Sequence, residues 1–310
     1  MSSSTDSLKT IRDLVRYLAS EFNRNRLFFG HGTDNALDEA TALVIHQLAM
    51  DFDLPDTYLD CHVTEDEKQI ILELGRLRIS SRKPLAQLTG NAYFAGLTFH
   101  VDEHVLVPRS PLAELITDQF HPWVDAENIH RILDLCTGSG CIGIASAMYL
   151  PESEVIISDI SDDALRVAQQ NIDQYELTER VHAVKSDVFN DIPQKPFDLI
   201  VSNPPYVSTD EYNALPAEYH NEPAIGLEAG VDGMDIVSRI LTQATSYLTD
   251  NGVIIIEVGA SAELLMEKYP QVAFNWIDFE HGGDGVFIFT REELLSYLPV
   301  FSARTDSVTY

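Results

Sequence analysis

The stretch "RILDLCTGSGCIGIASAMY", Arg131 to Tyr149, predicts the fold of most of the chain. Its apolar start reads as a buried strand, a glycine-rich turn follows, and the segment from Gly140 to Tyr149 reads as a helix. Gly138 and Gly140 permit backbone angles and a close approach that a Cβ would prevent. A strand, a glycine turn and a helix in this order are typical of the ligand-binding start of an α/β sheet.

Strands and helices continue to alternate after this stretch. Ser161 reads as the N-cap of a helix that runs to Tyr175, and residues 236–248 have a helical pattern. The strand patterns are "EVIIS", "VHAV", "FDLIVS", "GVIIIEV", "FNWIDF" and "GVFIFT". This alternation predicts an α/β fold with a doubly wound, mainly parallel, Rossmann-like sheet.

The first 90 residues have a different pattern. Apolar side chains at helical spacing and a capping box formed by Thr64 and Glu67 indicate helices. The first apolar stripe comprises Leu8, Ile11, Leu14, Val15, Leu18 and Phe22. The second follows the capping box and comprises Ile70, Ile71, Leu74 and Leu77. We therefore expect a small helical domain at residues 1–90, which we interpret as a substrate-recognition domain.

A β-hairpin is predicted between the two domains. Residues 91–107 alternate apolar and polar side chains around Gly96, and "PRSP" at Pro108 to Pro111 breaks the strand pattern. The α/β domain is then expected over residues 108–300, with a loose tail at 301–310. His100 and His104 lie four residues apart, but no third ligand is near, so we predict no metal site.

Composition narrows the class of protein. The chain has 310 residues, is 45% hydrophobic and carries a formal net charge of −29. An acidic chain repels bare nucleic acid, so we expect no direct DNA binding. The sequence contains no run of about 18 apolar residues, so we predict no membrane span. Its N-terminus has no apolar signal region, so we expect no secretory signal. The three cysteines form no C-x-x-C pair, which favours a reducing cytoplasm.

The glycine loop allows two interpretations of the ligand. Gly138 to Gly143 matches G-x-G-x-x-G, and Asp159 follows about 20 residues later, which is the pattern of a dinucleotide-binding oxidoreductase. However, Asp134 places a carboxylate directly before the loop, where it would repel a pyrophosphate. The same carboxylate would attract a cationic amino-acid group.

S-adenosylmethionine matches the loop better than a dinucleotide. Its ammonium suits the region of Asp134, and its ribose diol suits the Asp159 carboxylate at the end of the second strand. Asp187, after the third strand, could accept from the adenine amine, and Val188 could offer its backbone N–H. Carboxylates at three successive strand ends lie on the edge where open α/β sheets bind ligands.

The segment Asn203 to Tyr206, "NPPY", follows the fourth strand and predicts the chemistry. Pro204 and Pro205 make it stiff and extended and remove competing N–H donors. The Asn203 side-chain oxygen and the Pro204 carbonyl could therefore converge on one –NH₂ group. Such acceptors would orient a planar amide or an aromatic amine for methylation, and Tyr206 could pack on the flat group.

With these motifs, the chain resembles the protein-(glutamine-N5) methyltransferases over nearly its whole length. The resemblance is carried by "VLVPRSP", "DLCTGSG", "SDV", "SNPPYV" and "EPAIGLEAGVDGM". It implies a seven-stranded sheet and S-adenosylmethionine as methyl donor. It implies that Asn203, Pro204, Pro205 and Tyr206 bind glutamine. It also implies donor contacts for the loop from Asp134 to Gly140, with Thr137, Gly138 and Gly140, and for Asp159, Asp187, Val188 and Asn203.

Two segments indicate the branch of that family. The release-factor branch typically reads Pro-Arg-Pro-Glu-Thr-Glu where this chain has "PRSPLAE" at 108–114, and "FGHGTDN" at 29–35 looks like the ribosomal branch. The resemblance thus implies a basic protein of the large ribosomal subunit, its third protein, as substrate. The alternatives are a release-factor glutamine methyltransferase, an adenine-N6 DNA methyltransferase and a non-catalytic adapter.

Overall fold

The computed structural model describes residues 5–51 and 54–305. The chain forms two compact units. One comprises the residues up to Asn91 together with Pro216–Asn221, and the other comprises Ala92–Leu215 with the chain from Glu222 onward. Within the described residues, no helix is long and apolar enough to cross a membrane, and no group of three His, Cys, Asp or Glu could hold a metal ion.

The helical unit contains four α-helices in its described part: α1 Ile11–Arg24, α2 Ala36–Gln47, α3 Glu65–Ser81 and α4 Leu85–Thr89. The predicted capping box at the start of α3 is present, because the Thr64 hydroxyl accepts from the Glu67 N–H and the Glu67 carboxylate accepts from the Thr64 N–H. The apolar stripe predicted for α1 is buried along its whole length.

The buried face of α3 differs from the predicted one. Ile70 and Leu77 are about half exposed, whereas Arg78 is 1% exposed. Its Nε donates to Glu39 Oε1 at 2.7 Å, and its Nη2 donates to the Phe28 carbonyl at 3.1 Å. The predicted stripe was wrong for Ile70 and Leu77, because two partners compensate the burial of the Arg78 guanidinium and this side of the helix packs inward.

Glu218 joins the short segment Pro216–Asn221 to this ion network. Its Oε1 accepts from Arg82 Nη1 at 3.0 Å and from the Phe28 N–H at 3.0 Å, and Arg78 Nη1 lies at 3.5 Å. Glu218 is 2% exposed, so the pairing takes place away from water. These contacts explain why six residues distant in sequence belong to the helical unit.

The second unit contains the predicted sheet. Seven strands lie in the order β5-β4-β3-β6-β7-β9-β8. Neighbouring strands are parallel except for the pairs β7–β9 and β9–β8, which are antiparallel. Helices cover both faces of the sheet. This confirms the α/β Rossmann-like fold class. The elements are β1 Asn91–Phe94, β2 Leu97–His100, α5 Leu112–Thr117, β3 Arg131–Leu135, α6 Cys141–Tyr149, β4 Glu154–Asp159, α7 Asp162–Gln174, β5 Val181–Lys185, β6 Phe197–Ser202, α8 Thr209–Ala214, α9 Asp235–Gln243, β7 Leu248–Glu257, α10 Ala262–Lys268, β8 Asn275–Trp276, β9 Val286–Thr290 and α11 Arg291–Thr305.

Three element boundaries differ from the predicted ones. The hairpin ends at His100, because residues 101–107 form no strand: they include a turn, with Val101, Val105 and Val107 buried and Glu103 exposed. The helix predicted to end at Leu248 stops at Gln243, and Leu248 begins β7. Residues 301–305 belong to α11 and not to a tail, since Phe301 is fully buried with its ring 5.1 Å from that of Tyr269. The remaining tail residues, 306–310, lie outside the described part of the chain.

Candidate active site

The register of β3 and β6 brings the two predicted motifs together. Leu135 and Ser202 are paired on these neighbouring parallel strands, and each is the last residue of its strand. Cys136 and Asn203 therefore leave the sheet side by side at its carboxyl edge. We call residues 136–140 the donor loop and residues 203–206 the acceptor corner.

The donor loop has a tightly specified backbone. Cys136, Gly138 and Gly140 have φ of +58°, +55° and +82°. A Cβ at Gly140 would lie 3.2 Å from the Cβ of Ala168, whereas a Cβ at Gly138 would meet nothing within 4 Å. Gly140 is thus required by close packing against α7, while the space at Gly138 stays open for a ligand.

Asp134 lies within this arrangement and is fully buried. Its Oδ2 accepts from the Gly143 N–H at 2.9 Å and from the Thr137 hydroxyl, and its Oδ1 has no hydrogen-bond partner among the described residues. Burial raises the pKa of Asp134 to about 7, against the opposing effect of those two hydrogen bonds. Asp134 therefore fixes the loop with one oxygen and keeps the other available.

Asp159, the last residue of β4, also supports the donor loop. Its Oδ2 accepts from the Gly138 N–H at 3.0 Å, and its Oδ1 accepts from the Ser161 N–H at 2.9 Å. Burial raises the pKa of Asp159, and the backbone hydrogen bonds oppose that rise. Each carboxylate oxygen retains a lone pair that could accept from a hydroxyl of a ligand.

Asp187 and Val188 follow β5, the next strand. The Asp187 Oδ2 pairs with Arg239 Nη2 at 2.8 Å, a partner that the sequence did not indicate. Val188 has a φ of +53°, a costly conformation for a β-branched residue. Its backbone N–H donates to no acceptor in the described part of the chain. This strained turn leaves a donor and a carboxylate side by side at the sheet edge.

The acceptor corner combines free acceptors with a fixed backbone. The Asn203 side chain is half-buried, and within residues 5–51 and 54–305 neither its amide nor the Pro204 carbonyl makes a hydrogen bond. Tyr206 is held firmly, because its carbonyl accepts from Ser261 Oγ at 2.8 Å. A Cβ at Gly233 would lie 2.4 Å from that same carbonyl oxygen, so this glycine is needed for the close approach.

Two polar residues beside Tyr206 were not found from the sequence. Glu257 ends β7 and lies 3.4 Å from the Tyr206 hydroxyl, measured from Oε1. Its Oε2 accepts from the Ser110 hydroxyl in a short hydrogen bond. A carboxylate at the end of an apolar strand, the signal that identified Asp134, is also present in "GVIIIE" and would have drawn attention to Glu257.

The residues at this edge fit S-adenosylmethionine. The donor is a cation with an ammonium, a diol and an adenine. The edge offers the orphaned Asp134 Oδ1, the Asp159 carboxylate, the free Val188 N–H and open space over Gly138. Anionic groups predominate there, which suits a sulfonium and does not suit a pyrophosphate.

Fold and site together define a methyltransferase that uses S-adenosylmethionine. Residues 117–218 match the family model described as Methyltransferase small domain. The chain is 45% identical over 297 residues to the ribosomal protein uL3 glutamine methyltransferase of Francisella tularensis, covering 96% of this chain and 95% of that protein. It is 47% identical over 292 residues to the protein of that name from Xanthomonas campestris, covering 94% of each. The chain belongs to the family of ribosomal protein uL3 glutamine methyltransferases.

A solved structure is also similar to this chain. It is a methyltransferase from Pyrococcus furiosus, which is 17% identical, with a TM-score of 0.47 over 74% of this chain and 99% of that protein.

Proposed function

We propose that this protein transfers the methyl group of S-adenosylmethionine to the side-chain amide nitrogen of a glutamine in ribosomal protein uL3. The observation that carries the proposal is the pair of unused acceptors at the acceptor corner, the Asn203 side-chain oxygen and the Pro204 carbonyl. They lie at the same sheet edge as the donor loop, one residue beyond the register pair Leu135 and Ser202.

The two acceptors would compensate for the weak nucleophilicity of the glutamine side-chain nitrogen. The lone pair of a carboxamide nitrogen is delocalised into its carbonyl, so the nitrogen is a weak nucleophile. Hydrogen bonds from both N–H groups to Asn203 and Pro204 would turn the nitrogen toward the donor and stabilise the positive charge that develops on it. Bound S-adenosylmethionine would supply an electrophilic methyl group and would leave as a neutral thioether when its sulfur–carbon bond breaks. The amide nitrogen, held by Asn203 and Pro204, would form the new N–C bond and release one proton to water.

The remaining residues of the edge hold the two reactants in place. We assign Pro205 and Tyr206 to packing on the flat carboxamide. We assign Asp134, Thr137, Gly138 and Gly140 to the amino-acid part of the donor, Asp159 to its ribose, and Asp187 with Val188 to its adenine. Positioning of this kind can supply a large part of the rate acceleration.

The substrate protein would be selected by features outside this edge. We assign its recognition to the helical unit and the approach of a basic partner to the acidic charge of the chain. Residues 92–310 carry 35 of the 49 Asp and Glu residues but 10 of the 20 Lys and Arg residues. Ribosomal proteins are made and assembled in the cytoplasm, so we place the reaction in that compartment.

The test uses the full chain, S-adenosylmethionine and purified uL3, with a release factor as a second substrate. Mass spectrometry should find one added methyl group on a glutamine of uL3 and none on the release factor. The same methyl group should be missing from uL3 of a strain that lacks the gene. Methylation of the release factor alone, or of neither protein, would overturn the assignment.

A further inference from the structure

Three side chains from distant segments meet at the end of β7. Glu257 is 5% exposed, and Ser110, on the loop before α5, is 7% exposed. The Ser110 hydroxyl donates to Glu257 Oε2, and the Tyr206 hydroxyl donates to Oε1 at 3.4 Å. Ser110 and Glu257 thus form a buried polar support for the acceptor corner, and neither of them belongs to that corner or to the donor loop.

The ring of Tyr206 is confined on the side of this support. A Cβ at Gly259, two residues after Glu257, would lie 3.0 Å from Tyr206 Cζ and 2.8 Å from its hydroxyl oxygen. The ring therefore rests on the backbone of Gly259. Its hydroxyl donates to the Glu257 carboxylate, so a change in the protonation of that carboxylate alters a hydrogen bond of the phenol.

The support depends on the protonation of Glu257. An ionised carboxylate accepts from both hydroxyls, whereas a protonated carboxyl presents a donor of its own and weakens as an acceptor. Burial raises the pKa of Glu257 to about 7. The hydrogen bonds from Ser110 and Tyr206 and the charge of Arg109, the charged group that acts on Glu257 within the described residues, oppose that rise.

We propose that Ser110 and Glu257 form a positioning pair for Tyr206, in which ionised Glu257 holds the phenol in the orientation that packs on the substrate amide. Protonation of Glu257 releases the phenol. The pair acts through Tyr206 and touches neither the substrate nor the donor. The proposal rests on the proposed glutamine methylation for its effect on rate, but the movement of Tyr206 does not depend on turnover.

The experiment compares the wild type with Ser110→Ala and Glu257→Gln in the full-length protein. For the wild type, kcat/KM for uL3 should rise with pH to a plateau, with a midpoint near 7. Ser110→Ala removes a hydrogen bond to the carboxylate and should move the midpoint to higher pH. Glu257→Gln should abolish this limb and lower the plateau about tenfold. Donor affinity measured by calorimetry should stay unchanged in both variants.

A second readout follows Tyr206 without turnover. The ring resonances of Tyr206 in the NMR spectrum should titrate with the same midpoint in the wild type, at higher pH in Ser110→Ala, and not at all in Glu257→Gln. Ser153→Ala is the matched control, since Ser153 is also buried and its hydroxyl donates to the Leu150 carbonyl at 2.8 Å, far from Tyr206 in sequence. It should behave as the wild type.

The outcomes separate this proposal from the proposed function. Unshifted midpoints in Ser110→Ala, by rate and by NMR, would overturn the positioning pair even if uL3 is methylated. A wild type that shows the Tyr206 titration and its shift but transfers no methyl group would support the pair and overturn the function. If Glu257→Gln does not fold, Ser110→Ala carries the test by itself.

Discussion

The Ser202 hydroxyl donates a hydrogen bond to the Leu135 carbonyl at 2.8 Å, across the two strands that lead to the donor loop and the acceptor corner. Both residues are fully buried, so the bond is made out of contact with water. It locks the last register pair of β3 and β6 immediately before the chain leaves the sheet. The sheet therefore fixes the separation between the donor loop and the acceptor corner.

Asn203→Ala should retain donor binding but lose most methyl transfer. The substitution removes the acceptor to which we assign the charge developing in the transition state, and loss of one such group typically lowers kcat by about 10²- to 10³-fold. Calorimetry with S-adenosylmethionine and single-turnover kinetics with uL3 would measure the two effects separately. Asn128→Ala changes an exposed asparagine and serves as control. An Asn203→Ala enzyme with wild-type turnover would exclude the assigned role.

Asp134 should make the folded protein less stable as the pH rises. Its pKa is raised to about 7 by burial, so between about pH 4 and 7 the folded state binds a proton that the unfolded chain has released. The free energy of unfolding should then fall across this window by about 4 kcal/mol on account of Asp134. Asp134→Asn should flatten the fall in urea titrations at several pH values; an equally steep fall in both proteins would contradict this assignment.

Glu218→Ala should destabilise the helical unit. The substitution leaves the buried Arg78 with one carboxylate fewer, and breaking a buried ion pair on one side costs about 3–5 kcal/mol. Burial raises the pKa of Glu218, but the Phe28 N–H and the charges of Arg78 and Arg82 outweigh that effect and lower it. The contribution is therefore present at neutral pH and lost in acid.

Urea unfolding followed by circular dichroism would measure the change. Glu292→Ala, an exposed glutamate at the start of α11, should have little effect and provides the comparison. A Glu218→Ala protein as stable as this control would show that the ion network contributes nothing net.

Salt should slow the encounter with uL3. Because the acidic excess lies mostly in residues 92–310, attraction of a basic protein would be screened as ionic strength rises. We expect kcat/KM for uL3 to fall about tenfold from low to high salt, with kcat at saturation nearly constant. A flat salt profile would rule out electrostatic steering.

The sequence predicted what depends on local pattern. Strand and helix periodicity indicated the sheet, and residue type and spacing indicated Asn203, Asp134 and Asp159 as site candidates. It did not predict contacts between distant residues. Ser110 and Glu257 are 147 positions apart, and Arg239 reaches Asp187 from another element. The α3 face was mispredicted for the same reason, since Arg78 is buried because of Glu39 and Glu218.

The assignment of Pro216–Asn221 to the helical unit has a consequence for how this protein can be dissected. The polypeptide enters the helical unit twice, so neither unit is formed by one continuous segment of the sequence. A truncation after residue 91 would strand Glu218 without its cations, and a chimera that exchanges substrate choice must transplant both pieces together. One crossover, in the laboratory or in a genome, cannot swap the helical unit whole.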